Sequence, residues 1–318
     1  MRVFITNPWI PAEWIRAHGH EPRGIWFEDG FRSRTSPVSA GICAFAESAV
    51  RFTEAHPGDA VIFTTACDQM RRGFDTATFQ GRSRAFLFNV PATQTPAAKL
   101  IYRAEVERLG WFLLEHGGAA PTPEILRREM LRADDIRQRL RTVAPLAEAQ
   151  SFAAAAAGFF DRGIFSEPCA APLGNLIPLA LVGGPLRTAD WNLFEAIEAA
   201  GGRIALNATE PGERCLCPAF QHQANPFEAL VTGYFESMVD VFQRPNTWLY
   251  NWLKPRLASR RVRGIVLWHF TACDLWRAEA QSLREAFGLP VLPLEAGGAD
   301  GLSLRDLTRL QAFVEALQ

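Results

Sequence analysis

Residues 60–68 read AVIFTTACD and residues 264–274 read GIVLWHFTACD. Each is a short apolar run of the kind that forms a strand buried in a sheet. Each then ends in the same four residues, Thr-Ala-Cys-Asp, at positions 65–68 and 271–274. An amphipathic stretch follows both, so the pattern strand, Thr-Ala-Cys-Asp, helix occurs twice. The shared context points to two halves built alike, by duplication or by convergent placement of the same ligand.

Working outward, short apolar runs alternate with amphipathic stretches, the pattern of an α/β protein with parallel sheets. In the first half, strands are expected at Arg2 to Ile5, Gly24 to Phe27, Ala60 to Thr64 and Ala85 to Phe88. Helices are expected at Pro11 to Ala17, entered through proline at the first turn, and at Ala40 to Glu54. From Pro96 to about Phe160 the signal is helical almost throughout, broken at Pro121 and Pro123, and predicts a helical insertion beside the first sheet. The connector Glu167 to Pro172 (EPCAAP) marks the expected boundary, giving domains 1–168 and 169–318. In the second half, strands are expected at Leu179 to Val182, Arg203 to Leu206, Gly264 to His269 and Pro290 to Leu294. Helices are expected at Asp190 to Ala200, Phe227 to Phe242, Trp248 to Ala258 with a break at Pro255, Asp274 to Phe287 and Leu304 to Leu317. The fold predicted is α/β, with two doubly wound parallel-sheet domains and a helical insertion.

The chain has 318 residues, 48% hydrophobic and 21% charged, which is the balance of a globular protein with room for two domains. A formal net charge of −1 provides no basic field for nucleic acid or an anionic membrane. The run SRRVR at residues 259–263 reads as a solvated helix end. The opening MRVFITNPWIP lacks a basic region followed by a long apolar core, and the apolar run Ile177 to Val182 is too short to span a bilayer. A cytoplasmic protein is therefore expected, in which six cysteines are ligands, nucleophiles or buried apolar groups rather than disulfides.

In doubly wound sheets, ligands bind in the crevice beyond the carboxyl ends of the strands. Cys67 and Cys273 stand at two such ends, one in each half, with Asp68 and Asp274 next in line to cap the helices. Cys43 follows the loop SPVSAG and opens the stretch CAFAESAVRF, so it shares the placement. A helix N-terminus is expected to lower a thiol pKa and favour the thiolate that soft metals and iron–sulfur clusters require. Three thiolates on a four-iron cube leave one iron without a protein thiolate, a catalytic rather than purely electron-carrying arrangement.

These stretches resemble the 2-hydroxyacyl-CoA dehydratase and benzoyl-CoA reductase family. The resemblance lies in WIPAEWIRAHGHEPRGIW (9–26), TTACDQMRR (64–72) and FNVPATQTPAAKLIYRAEVERLGWFLLE (88–115). It continues through GGPLRTADWNLFEAIEAAGGRIALNATEPGER (183–214), NPFEALVTGYF (225–235), RPNTWLYNWL (244–253) and LTRLQAFVEAL (307–317). It implies two Rossmann-like domains with a 4Fe–4S cluster in the cleft, held at the matching positions Cys43, Cys67 and Cys273. It implies also a related second subunit, or a second copy of the chain, and an acyl-CoA substrate. A separate ATP-dependent iron–sulfur activator would supply a low-potential electron for radical dehydration or reduction. This chain has no G-x-x-x-x-G-K-[ST] phosphate loop of its own. Two departures stand out. Cys43 is followed by Ala44 and Glu47 where the family has Cys-Pro and a basic residue. The family's acidic-cysteine stretch before G-x-R reads NATEP here, with Cys215 and Cys217 just after Arg214.

Other readings accompany these. Cys169, Cys215 and Cys217 form a second thiolate set if the chain carries a double-cubane cluster and reduces a small molecule; otherwise they are buried or incidental. A third possibility is a non-catalytic partner subunit. His269 is a candidate proton donor near the strand end, or a satisfied core histidine. Arg214 reads as a contact for a CoA phosphate or as a surface ion pair. Trp248, Trp252, Trp268 and Trp276 read as core packing.

Overall fold

The computed structural model describes residues 1–27, 42–79, 83–171, 174–220, 224–296 and 302–318. Two four-stranded sheets, all parallel, carry the chain. The first contains β1 (Arg2–Ile5), β2 (Glu21–Gly24), β3 (Ala60–Thr64) and β4 (Arg84–Phe88), in the order β2-β1-β3-β4. The second contains β5 (Ile177–Pro185), β6 (Gly202–Glu210), β7 (Gly264–Phe270) and β8 (Val291–Ala296), in the order β6-β5-β7-β8. The two orders are the same, and β3 and β7, which lead into the Thr-Ala-Cys-Asp strings, hold equivalent third places. Every residue of β3 and β7 is buried, as expected for strands covered on both faces. The architecture is the predicted α/β fold with two parallel-sheet domains.

The helices of the first half are α1 (Ala12–Ala17), α2 (Ala44–Ala55) and α3 (Asp68–Thr78). Three longer ones follow: α4 (Pro96–Glu115), α5 (Pro123–Val143) and α6 (Ala149–Arg162). Both α4 and α5 begin at a threonine whose hydroxyl accepts from the first turn, with proline just inside, where its missing N–H costs nothing. The second half adds α7 (Asn192–Ala199), α8 (Pro226–Glu236), α9 (Thr247–Ser259), α10 (Asp274–Phe287) and α11 (Leu304–Glu315). Helix α8 packs on α4 and α5 of the insertion. Ion pairs Arg103–Glu228 and Lys99–Glu236 line that seam.

Several boundaries differ from expectation. The second strand is Glu21–Gly24, and Ile25–Phe27 form a 3-10 turn instead. The helix expected from Ala40 begins at Ala44, and residues 40–41 lie outside those described. Helix α9 runs through Pro255 without a break. The carbonyl that proline leaves unpaired belongs to Asn251, an exposed residue on a turn that water can reach. Strand β6 extends to Glu210, four residues beyond its expected end, and α8 stops at Glu236 rather than at Phe242.

Candidate functional site

All three singled-out cysteines occupy helix N-caps: Cys43 begins α2, Cys67 begins α3 and Cys273 begins α10. The Ala46 N–H donates to the Cys43 sulfur at 3.5 Å, and the Cys43 N–H donates to the Gln69 side chain of α3 at 2.7 Å. That second bond fixes the starts of α2 and α3 against each other. First-turn N–H groups also point at the other two sulfurs, from Gln69 and Met70 to Cys67 and from Trp276 to Cys273. Ala272, just before Cys273, has φ 64°, a left-handed conformation that costs a residue with a Cβ about 1 kcal/mol.

One cavity of about 430 Å³ receives all three. Thr6 and Asn7 after β1, Thr64 at the end of β3 with Thr65 to Asp68 after it, Pro185 at the end of β5, and Phe270 at the end of β7 with Ala272 to Asp274 after it line the cavity. In each sheet the strand order reverses between the first strand and the third, and crevices open at such switch points. Here the two switch points face each other across one space. Its walls are otherwise largely apolar, with Phe45, Met70, Phe242 and Trp276, while Arg71, Glu210, Asp240 and Arg244 bring charge.

The expectation of lowered thiol pKa values does not hold. Burial pushes Cys67 up to about 12, and neighbouring Cys43 and Cys273 push it further in the same direction. Burial likewise raises Cys273 to about 12 and raises Cys43. Loss of water outweighs the N–H groups and the helix dipoles and favours the neutral thiols. Among the described residues no three His, Cys, Asp or Glu side chains converge on a point that a single metal ion would fill.

Next to the cavity-lining Glu210 and Asp240, Arg214 is fully buried and neither meets the surface nor lines the cavity. It pairs with Asp240 and donates to the carbonyls of Ala208, Val239 and Gly183 at 3.0–3.2 Å. Asp240 also accepts from the Val241 N–H at 2.6 Å and from the Trp9 indole at 3.4 Å. Among the described residues, the side chain of Glu210, at the end of β6, has only long polar contacts, to Arg214 and to the Asn7 amide, each 3.5 Å. Burial first, then the charge of Asp240, drives its carboxyl up to about 8 against the pull of Arg214.

The remaining sequence candidates lie elsewhere. Cys215 and Cys217 are buried beside a separate void of about 20 Å³ with Glu13, Arg137 and Tyr234, room for one water. Cys169 is exposed. His269 is buried, its Nδ1 bonded to the Phe270 carbonyl at 3.1 Å, and it is absent from the cavity lining. Trp268 and Trp276 are buried as expected, but Trp276 also faces the cavity, and Trp248 is exposed. Glu210, Asp240, Asn7 and Gln69 are site residues that sequence reasoning missed.

No helix among the described residues is long and apolar enough to cross a membrane. No curated protein matches the chain. Among solved structures it is similar to "Structure of the SBP FpvC from pseudomonas aeruginosa in complex with Mn2+". The identity is 13% and the TM-score 0.27, over 100% of this chain and 98% of that one, a likeness too distant to carry an argument. The sequence model described as 2-hydroxyglutaryl-CoA dehydratase, D-component, matches residues 9–167 and 171–317, nearly the whole length. The chain therefore belongs to the 2-hydroxyglutaryl-CoA dehydratase D-component family.

Proposed function

We propose that this chain is the iron–sulfur subunit of a 2-hydroxyacyl-CoA dehydratase-type enzyme, with Cys43, Cys67 and Cys273 holding a 4Fe–4S cluster in the interdomain cavity. The observation that carries the reading is the convergence of three helix-capping cysteines, from both domains, on one space at two facing switch points. The donor set fits the group. Thiols buried this deeply need an adjacent cation to ionise. Three cysteines lining one cavity suit a cube that spreads its thiolates over separate irons. Three thiolates would leave one iron of such a cube without a protein thiolate.

When bound, such a cluster supplies a single low-potential electron to a thioester substrate. The chain's own residues do the remainder. The Ala46 N–H at the start of α2 donates to the Cys43 sulfur, and the N-termini of α3 and α10, capped by Cys67 and Cys273, add favourable dipoles beside the other two sulfurs. Phe45, Met70, Phe242 and Trp276 keep water from the reacting carbons. Arg71, exposed on the lining, offers a cation to the phosphates of coenzyme A. Membership of a D-component family implies a partner component. The partner proposed is a related second subunit or a second copy, with an ATP-dependent activator delivering the electron.

The test is anaerobic purification with iron and sulfide analysis and electron paramagnetic resonance. About four irons per chain are expected for one cube. About eight would favour the double-cubane alternative with Cys169, Cys215 and Cys217, and none a non-catalytic subunit. Cys67→Ala and Cys273→Ala are each expected to lose the cluster signal while remaining folded. A full signal retained in both sinks the assignment.

A further inference from the structure

We propose that Glu210 is the cavity's proton carrier: its carboxyl delivers a proton to the departing 2-hydroxyl and then recovers one from the neighbouring C3 of the acyl chain. This rests on the dehydratase reading.

The geometry separates two carboxyl groups that share one buried arginine. Asp240 has the close ion pair with Arg214, a 2.6 Å backbone N–H and the Trp9 indole. Glu210 has two contacts at the outer limit of hydrogen bonding. Arg214 spends its other donors on three main-chain carbonyls. Of the pair, Glu210, with the weaker contacts and the raised carboxyl, therefore carries the proton. The charged and titratable groups facing Glu210 are Arg214, Asp240, Cys215 and Cys273. Of these only Arg214 favours its ionisation. Glu210 lines the same cavity as Cys43, Cys67 and Cys273, at the carboxyl end of the edge strand β6, which borders β5.

The balance closes. The C2–O bond breaks and the oxygen takes the carboxyl proton, leaving as water. The C3–H bond breaks, its proton returns to the carboxylate, and C2 and C3 become doubly bonded. No proton is consumed, and the low-potential electron that starts the cycle from the activator is released at its end.

Two measurements test this. In the cluster-free protein at neutral pH, infrared spectroscopy is expected to show a protonated buried carboxyl band that Glu210→Gln removes. With cluster, partner and activator present, Glu210→Gln is expected to keep iron content and thioester binding while losing turnover by about 100-fold or more. Glu210→Asp, which keeps an ionisable group in the cavity, recovers part of it. The role is overturned if the band persists in the Gln variant, if turnover stays near wild type, or if turnover falls only alongside iron or thioester binding. Failure of the wild type to dehydrate any 2-hydroxyacyl thioester sinks the dehydratase reading and this role with it. Wild-type turnover with an unaffected variant sinks this role alone.

Discussion

At the scale of single residues, the Glu210–Arg214–Asp240 set shows how burial and a neighbouring like charge hold one carboxyl protonated beside a cation. Removing that neighbour exposes the effect. Asp240→Asn takes away the like charge that holds Glu210 protonated, so Glu210 ionises against Arg214 and its infrared carboxyl band fades at neutral pH. The same change weakens a fully buried ion pair, a class of loss that costs about 3–5 kcal/mol, measurable as a lower denaturant midpoint. Proton linkage follows from the raised carboxyl. Glu210 rises from an ordinary 4.5 to about 8 on folding. Between those values the folded chain binds more protons than the unfolded one, so stability falls as pH rises across that window and levels off above it. Thermal unfolding across the window is expected to show that downward slope in the wild type and a flatter profile in Glu210→Gln. Of the three, Arg214 was singled out at the outset, though as a phosphate contact or surface ion pair, and Glu210 and Asp240 were not. Glu210 was hidden because β6 reads as ending at Leu206, before the polar run Asn207 to Glu210. In the fold that run continues the strand, where the Asn207 oxygen accepts from the Thr209 N–H and hydroxyl. Asp240 was hidden inside a helix expected to reach Phe242.

At the scale of elements, strands and caps were readable where one rule dominated. The apolar cores of β3 and β7 and the cysteines that follow them were legible, because strand end, turn and helix cap coincide within a few residues. Proline acts in two ways. It stands in the first turn of α4, α5 and α8 but does not cause the break expected in α9, since tertiary packing of Leu249, Leu253 and Leu257 holds that helix together. The thiol electrostatics were misread because the helix-end effect is legible in sequence whereas the depth of burial is not. Strand β5 carries its own sensitive point at Gly183, where an added Cβ would lie 1.9 Å from the Trp268 carbonyl oxygen of β7. Neither backbone can move without disturbing the ladder between them. Gly183→Ala is expected to cost at least about 1–3 kcal/mol by overpacking, read as a lowered melting temperature and faster amide exchange in β5 and β7.

At the scale of the whole molecule, a second buried network ties distant parts together. Glu13 of α1 pairs with Arg137 of α5 at 2.6 Å and accepts from the Tyr234 hydroxyl of α8 at 2.6 Å, while Asp134 holds the other side of Arg137 at 2.7 Å. Burial alone would raise the Glu13 pKa, but Arg137 and the Tyr234 hydroxyl hold it below the ordinary 4.5. A depressed folded-state value contributes stability above 4.5 that is lost as pH falls through the lower value. Glu13→Gln, leaving Arg137 buried with half its compensation, is expected to destabilise by about 3–5 kcal/mol and to flatten the acid limb of the unfolding curve. The doubled Thr-Ala-Cys-Asp string also has a mechanical consequence. With Cys43 and Cys67 on one wall and Cys273 on the other, anything gripping all three sulfurs is a rivet through both halves. Its extraction by a chelator slackens the joint between them, so protease nicking along the crossing segment should quicken even while each sheet keeps its own fold.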